Sequence, residues 1–248
     1  MERAAVLPRL TWQDATVSEV RRESATGTTL RLDVDDWAGH RPGQHVDVRL
    51  TAPDGYTAVR PYSLASAAGS GVVELTVDTT PGGEVSVYLA RQARPGHHLE
   101  IRGPLGDWFV WDSQALTPVQ LVAGGSGLVP LMSMIRTHDA MGHPAPMRLL
   151  YSVADPEHLL YADEIATHEA SGLASVIYTR RRPEGDPRPP RRATRRDLDQ
   201  HLLPASMQPT CFVCGPTGFV EALIGAVVGL GYATTQIRAE RYGERDTP

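Results

Sequence analysis

The residues Arg60-Pro61-Tyr62-Ser63 place a cation, a flat aromatic ring and a small hydroxyl within four positions. In an extended strand alternate side chains share a face, so Arg60 and Tyr62 would stand together while the backbone of Tyr62 and Ser63 stays close to whatever they hold. A guanidinium meets a phosphate through paired N–H donors, a phenol ring stacks on a planar heterocycle, and a serine hydroxyl bonds a ring nitrogen. The set suits a phosphate-bearing flat ring such as a flavin. An ordinary strand with one exposed arginine and one half-buried tyrosine fits the same residues, so their companions must decide.

Three further segments carry chemistry. Pro81-Gly82-Gly83-Glu84-Val85-Ser86 leads into a helix, and glycines ahead of a helix N-terminus let backbone N–H groups approach an anion. A plain loop reads the same glycines, and Glu84 would have to point to solvent. Gly124-Gly125-Ser126-Gly127-Leu128-Val129-Pro130 follows an apolar strand and opens a second helix, with Pro130 where a missing N–H is harmless. Its spacing is not Gly-x-Gly-x-x-Gly, so the general expectation is a nucleotide pyrophosphate on a helix N-terminus, or a turn needed only for packing. Cys211-Phe212-Val213-Cys214-Gly215-Pro216 ends another strand. These are the only two cysteines; a strand position makes Cys211 a poor redox thiol, and no histidine lies at zinc-site spacing. No metal site is expected.

The elements that must position these residues change character once. Up to about residue 110, short alternating runs at 15–21, 29–34, 45–50, 72–78 and 99–102, punctuated by Gly, Pro and Asp, predict a small antiparallel barrel. From Pro118 onward, strands at 119–123, 147–153, 174–180, 210–214 and 235–240 alternate with helices at 128–138, 157–170, 195–203 and 217–229. That alternation predicts a doubly wound parallel sheet with right-handed crossovers. The joint falls in residues 112–117, dividing the chain into residues 1–113 and 114–248. A length of 248 residues suits two domains, and a net charge of −5 argues against a nucleic-acid partner. Residues 1–12 hold two arginines and no apolar run of signal-peptide length, and nothing approaches a membrane span, so a cytoplasmic protein is expected.

Taken in order, Arg60-Pro61-Tyr62-Ser63, Gly83-Glu84-Val85-Ser86, Gly103-Pro104-Leu105-Gly106, Gly125-Ser126-Gly127-Leu128-Val129-Pro130, Cys214-Gly215-Pro216 and Glu240-Arg241-Tyr242 resemble the ferredoxin-NADP reductase superfamily. The resemblance spans nearly the whole chain. It implies a six-stranded antiparallel Greek-key barrel that binds FAD and a Rossmann-like domain that binds NADPH or NADH, with hydride passing to flavin N5 in the cleft between them. On the matched positions it implies that Arg60 and Pro61 meet the flavin phosphate, Tyr62 stacks on the ring and Ser63 bonds near N5. Gly82, Gly83, Val85 and Ser86, with Val77 nearby, would hold the FAD pyrophosphate. Gly124, Gly125, Gly127 and Pro130 would receive the nucleotide pyrophosphate, and Cys214, Gly215 and Pro216 would border the nicotinamide. Glu240 and Tyr242 would close the flavin site. Ser63, Cys214 and Glu240 are the candidate catalytic residues.

Donor choice turns on arginines. Tyr151-Ser152-Val153 is followed by Ala154-Asp155, so the arginine that NADPH-preferring relatives often place there is missing. The loop after Tyr178-Thr179 supplies others, of which Arg180, Arg191 and Arg192 are the candidates for a 2′-phosphate. A solvated surface loop, a docking patch for an acidic partner and a deazaflavin donor with an acidic tail fit the same cluster. The acceptor expected from the resemblance is a separate redox protein, such as a ferredoxin, an oxygenase component or a molybdenum-cofactor protein. A non-catalytic flavin- or nucleotide-binding subunit is the alternative.

Overall fold

The computed structural model describes residues 10–52, 54–79 and 82–243. Readings that fall on residues 1–9 or on Pro81 lie outside these.

Alternation builds the first unit. Strands β1 (Gln13–Arg22), β2 (Gly27–Val34), β3 (His45–Thr51), β4 (Thr57–Ser63), β5 (Val73–Asp78) and β6 (His98–Leu105) pair antiparallel in the order β4-β3-β6-β1-β2-β5. β6 lies between β3 and β1, the Greek-key crossing, and a bridge from Leu64 to Leu75 brings the two edges of the sheet together. Every second residue points inward: Val46 and Val48, Leu30 and Leu32, Leu75 and Val77, and Leu99 and Ile101 form one core. Each such buried side chain contributes about 1.5–3 kcal/mol, so a one-residue slip that turned the row outward would be costly. Helix α1 (Glu84–Arg91) packs on this core through Val85, Leu89 and Ala90.

In the second unit, β7 (Val119–Gly124), β8 (Met147–Val153), β9 (Ala174–Tyr178), β10 (Thr210–Pro216) and β11 (Ile237–Tyr242) run parallel in the order β11-β10-β7-β8-β9. Helices α2 (Leu128–Met141) and α3 (Ala162–Ala170) cover one face, and α4 (Arg195–His201) and α5 (Thr217–Gly229) cover the other. The order reverses beside β7, so a crevice opens where β7 and β10 end, the place at which open α/β sheets receive ligands.

The architecture is the expected one, with local differences. The helix predicted over 157–170 begins only at Ala162, because Tyr161 takes a left-handed backbone (φ 53°) that an α-helix cannot include. Ahead of it, residues 156–158 form a single tight turn capped by Asp155, which accepts the Glu157 N–H at 3.1 Å. The strand predicted to residue 180 stops at Tyr178, and the helix predicted to 203 stops at His201. Among the described residues no helix is long and apolar enough to cross a membrane, and no group of His, Cys, Asp and Glu could hold a metal ion.

Candidate functional site

β4 is an edge strand, pairing along its length only with β3. Pro61 is tolerated there because it has no ladder hydrogen bond to give on the open side. Ala58, Arg60 and Tyr62 stand opposite Leu50, Val48 and Val46, so the alternation expected for Arg60 and Tyr62 is present. Arg60 is exposed, with Nη1 donating to the Val59 carbonyl at 2.8 Å. Tyr62 rests partly buried on the barrel core, and burial pushes its phenol up to about 12 against the opposing pull of Arg60. The phenol therefore stays neutral at physiological pH and keeps its O–H. Ser63 ends the strand, half-buried.

The first turn of α1 lies near the same edge. Gly82 adopts φ 78°, which favours glycine, and Gly83 is an N-cap residue with no side-chain capping bond. A helix N-terminus entered through glycine lets an anion approach its backbone N–H groups. Glu84 is exposed, as an anion site requires. Ser86 Oγ donates to the Gly83 carbonyl at 3.4 Å. Val77 and Val85, expected at the cofactor, turn their side chains into the barrel core at 0% and 4% exposure, and Val85 also lines the cavity beyond α1. Beyond α1 a cavity of about 710 Å³ opens between Leu50, Ala58, Val85, Tyr88 and Leu99. Ala58, which shares a strand face with Arg60 and Tyr62, lines it.

The nucleotide turn follows from close packing. Gly125–Gly127 makes one tight turn between β7 and α2. A Cβ on Gly124 would lie 2.7 Å from the Phe219 ring, and one on Gly127 would lie 2.3 Å from the Cys214 carbonyl oxygen. A Cβ on Gly215 would lie 2.7 Å from the same ring, so two glycines on adjacent strands and Phe219 shape one wall. Tyr242, at the end of β11, pins this turn: its hydroxyl donates to the Gly124 carbonyl at 2.5 Å and accepts the Gly127 N–H at 3.2 Å. Pro130 is buried in the first turn of α2. A cavity of about 500 Å³ opens here, walled by Gly124, Gly125, Ser152, Thr179, Pro216 and Arg192.

The arginines separate. Arg192 lines this cavity and Arg180 is exposed beside it in sequence. Arg191, expected at a 2′-phosphate, is placed elsewhere: its guanidinium grips Asp197 with Nη2 to Oδ1 at 2.8 Å and Nη1 to Oδ2. Asp197 also accepts the Thr194 N–H at 2.7 Å and hydroxyl at 2.6 Å, closing a capping box at the start of α4. These donors hold the Asp197 carboxyl well below its ordinary range. Arg191 is thereby occupied in fixing a helix.

Cys214 and Glu240 come together. They are register partners on β10 and β11, level with Ala123 on β7, just behind the glycine turn. Burial pushes the Cys214 thiol well up, with the Glu240 charge adding to it, and burial alone raises Cys211 to about 12. Neither is a thiolate at neutral pH. Burial also raises the Glu240 carboxyl to about 7, and its Oε2 is buried with no protein hydrogen-bond partner. A buried acceptor without a partner is costly, and a ligand that donates a proton there would satisfy it. Asp78 Oδ1, at the end of β5 and facing Tyr242, is orphaned likewise. Asp78 and Phe219 escaped the sequence reading because neither belongs to a motif.

The residues thus fit a flavin nucleotide along β4 and α1 and a pyridine nucleotide at the glycine turn. Two family descriptions match in tandem: the oxidoreductase FAD-binding domain over residues 14–110 and the oxidoreductase NAD-binding domain over residues 121–224. The chain belongs to the ferredoxin-NADP reductase superfamily. Within that superfamily it is 40% identical over 126 residues to methane monooxygenase component C of Methylosinus trichosporium, covering 51% of this chain and 36% of that protein. It is 30% identical over 217 residues to the ferredoxin–NAD(P)(+) reductase component of the naphthalene 1,2-dioxygenase/salicylate 5-hydroxylase systems of Ralstonia sp, covering 86% of this chain and 63% of that protein. The chain therefore spans less than two-thirds of either relative. Among solved structures, an Amycolatopsis cytochrome P450 reductase superposes with a TM-score of 0.78 at 26% identity, covering 96% of this chain and 73% of that one. As in other superfamily members, FAD belongs to the barrel and the pyridine nucleotide to the parallel sheet.

Proposed function

We propose that the chain is a cytoplasmic FAD-dependent reductase that takes hydride from NAD(P)H and passes electrons to a separate redox protein, with residues 1–113 serving the flavin and 114–248 the nucleotide. The observation that carries this reading is the orphaned Glu240 oxygen beside Cys214, set behind a glycine turn that Tyr242 pins. The flavin, when bound, accepts a hydride as a pair of electrons and can release them one at a time. The chain's own task is orientation and exclusion of water. Tyr62 offers a ring face, Ser63 a hydroxyl, and Arg60 a counter-charge for a phosphate. Cys214, neutral and small, leaves room for a flat ring without offering a competing nucleophile. Glu240, with its carboxyl near 7, can hold or move a proton at the cleft at working pH. The cavity beyond α1 gives space for the far end of a dinucleotide flavin, which favours FAD over FMN.

Relatives named as components of methane monooxygenase and aromatic dioxygenase systems support an oxygenase component or ferredoxin as the acceptor. Anaerobic titration tests the whole reading. Purified protein is expected to be yellow, and its visible flavin band to bleach on mixing with NADPH or NADH. Protein without FAD, or FAD that neither nucleotide bleaches, would overturn it and leave the non-catalytic subunit.

Arg192 at the cavity wall favours NADPH as donor. A guanidinium bonded to a phosphate is worth about 1.5–3 kcal/mol, so Arg192→Ala should raise the KM for NADPH by roughly 10–100-fold and change that for NADH little. Equal effects on both donors would remove the assignment.

A further inference from the structure

We propose that α2 is a strut that sets the spacing between flavin and nicotinamide, with Ser133, Arg136 and Thr137 as positioning residues that tie the backbone following Ser63 to the helix that begins at the nucleotide turn. The proposal rests on the reductase reading above. α2 is buried among apolar side chains over most of its length, yet it carries these three polar residues at i, i+3 and i+4, the spacing that brings side chains onto one helix face. Ser133 and Thr137 are 0% and 2% exposed. Buried hydroxyls require partners, and these find theirs in the barrel unit. Ser133 Oγ donates to the Ser66 carbonyl at 2.7 Å. The Ala68 N–H donates to Thr137 Oγ1 at 2.9 Å, and Thr137 Oγ1 donates in turn to the Ser133 carbonyl at 2.6 Å.

Arg136 completes the set. Its Nη1 donates to the Ala65 carbonyl at 2.8 Å and to Glu74 Oε2 at 3.2 Å, both in the barrel unit. Glu164 of α3 holds Nε at 2.9 Å and Nη2 at 2.5 Å, and the guanidinium lies 4.8 Å from the centre of the Tyr161 ring. Two carboxylates and an aromatic face thus fix the guanidinium from the nucleotide side and from the barrel side at once. The receiving segment is itself braced: the Ala65 N–H donates to the Glu74 carbonyl at 2.8 Å, and His40 Nε2 lies 3.1 Å from the Ser66 carbonyl.

The consequence is geometric. The anchored carbonyls at Ala65 and Ser66 lie two and three residues after Ser63, while Ser133 lies six residues after Gly127, about 9 Å along a helix. One rigid turn-and-a-half of helix therefore connects the hydroxyl proposed for the flavin to the glycine proposed for the donor. Apolar faces between the two units could slide, whereas these hydrogen bonds admit one register. A misplacement of about 1 Å can cost roughly 100-fold in rate, so the ties act on catalysis without touching either ring.

The test compares the full chain with its FAD against Arg136→Met, Arg136→Lys and the double variant Ser133→Ala, Thr137→Val. Four quantities are read: FAD content, the NADPH dissociation constant, amide hydrogen exchange over residues 65–68, and the rate of flavin bleaching together with its long-wavelength nicotinamide–flavin absorbance. FAD content and NADPH affinity should be unchanged, exchange over 65–68 should quicken, and the bleaching rate should fall by about tenfold or more with a weakened long-wavelength band. Arg136→Lys, which keeps the charge and loses the fork, should fall between wild type and Arg136→Met. Bleaching and absorbance equal to wild type despite faster exchange would overturn the strut, as would a rate loss matched by loss of FAD. Wild-type protein that neither nucleotide bleaches would overturn the reductase reading instead.

Discussion

Gly127→Ala should unfold at a temperature roughly 2–12 °C below wild type and should lose nucleotide binding even where it remains folded. The added methyl would stand 2.3 Å from the Cys214 carbonyl oxygen, 2.4 Å from its carbon and 2.7 Å from the Gly215 nitrogen. All three are backbone atoms of β10, which is hydrogen-bonded to β7 and β11 on its two sides and cannot retreat as a flexible side chain would. Overpacking of this kind costs about 1–3 kcal/mol, which corresponds to roughly 2–4 °C per kcal/mol in a chain of this size. The backbone at Gly127 is ordinary, with φ −60°, so contact rather than conformation is the cause. Gly142 supplies the control: it caps the other end of α2 with φ 55°, and a Cβ there meets nothing within 4 Å. Gly142→Ala should cost about 1 kcal/mol through its left-handed backbone and leave nucleotide affinity unchanged. Calorimetry and NADPH titration of both variants provide the check; equal affinity losses would show that stability, not the turn, governs binding.

Glu240→Gln should make the protein more stable than wild type at pH 8 and nearly equal to it at pH 4.5. The Glu240 carboxyl titrates near 7 when folded, against 4.5 when exposed, because burial disfavours its charge. Between those values the folded state holds a proton that the unfolded state has released, so the contribution of this group to stability falls as pH rises through the window and is level above it. The full difference is on the order of 3 kcal/mol, and glutamine, which does not titrate, is spared it. Unfolding midpoints of the two proteins across pH 4.5–8 measure this directly. A constant difference across that range would show that Glu240 does not titrate there. The same variant cannot exchange a proton at the cleft, so any inflection near pH 7 in the bleaching rate should vanish with it.

Much of the fold was legible because it rests on periodicity. Short β-branched or alternating runs in the first half and strand–helix alternation in the second point to the two sheets, since other arrangements would strand apolar rows in water. Legibility failed where one backbone angle decides. Nothing in Leu160-Tyr161-Ala162 announces that Tyr161 turns left-handed and delays α3. At the candidate site, motifs pointed to the turns but not to what faces them. Arg191 and Arg192 are indistinguishable as cluster members, yet Thr194 and Asp197 stand three apart, the spacing of a helix cap, and that cap claims Arg191. The three polar residues of α2 belong to no motif and went unread in the sequence, and their partners at Ala65, Ser66 and Ala68 lie some 70 positions earlier, where only tertiary structure could supply them. The orphaned oxygens of Glu240 and Asp78 have no sequence signature at all, because what marks them is the lack of a neighbour.

Tyr242 imposes an order in time. The glycine turn after β7 is emitted from the ribosome early, but the hydroxyl that bonds Gly124 and Gly127 arrives with the last strand of the sheet. At about 5–20 residues per second, the barrel strands and β7 wait on the order of ten seconds for that closure. During translation the nascent chain can therefore shape its barrel half first, while the glycine turn is pinned only after residue 242 has emerged.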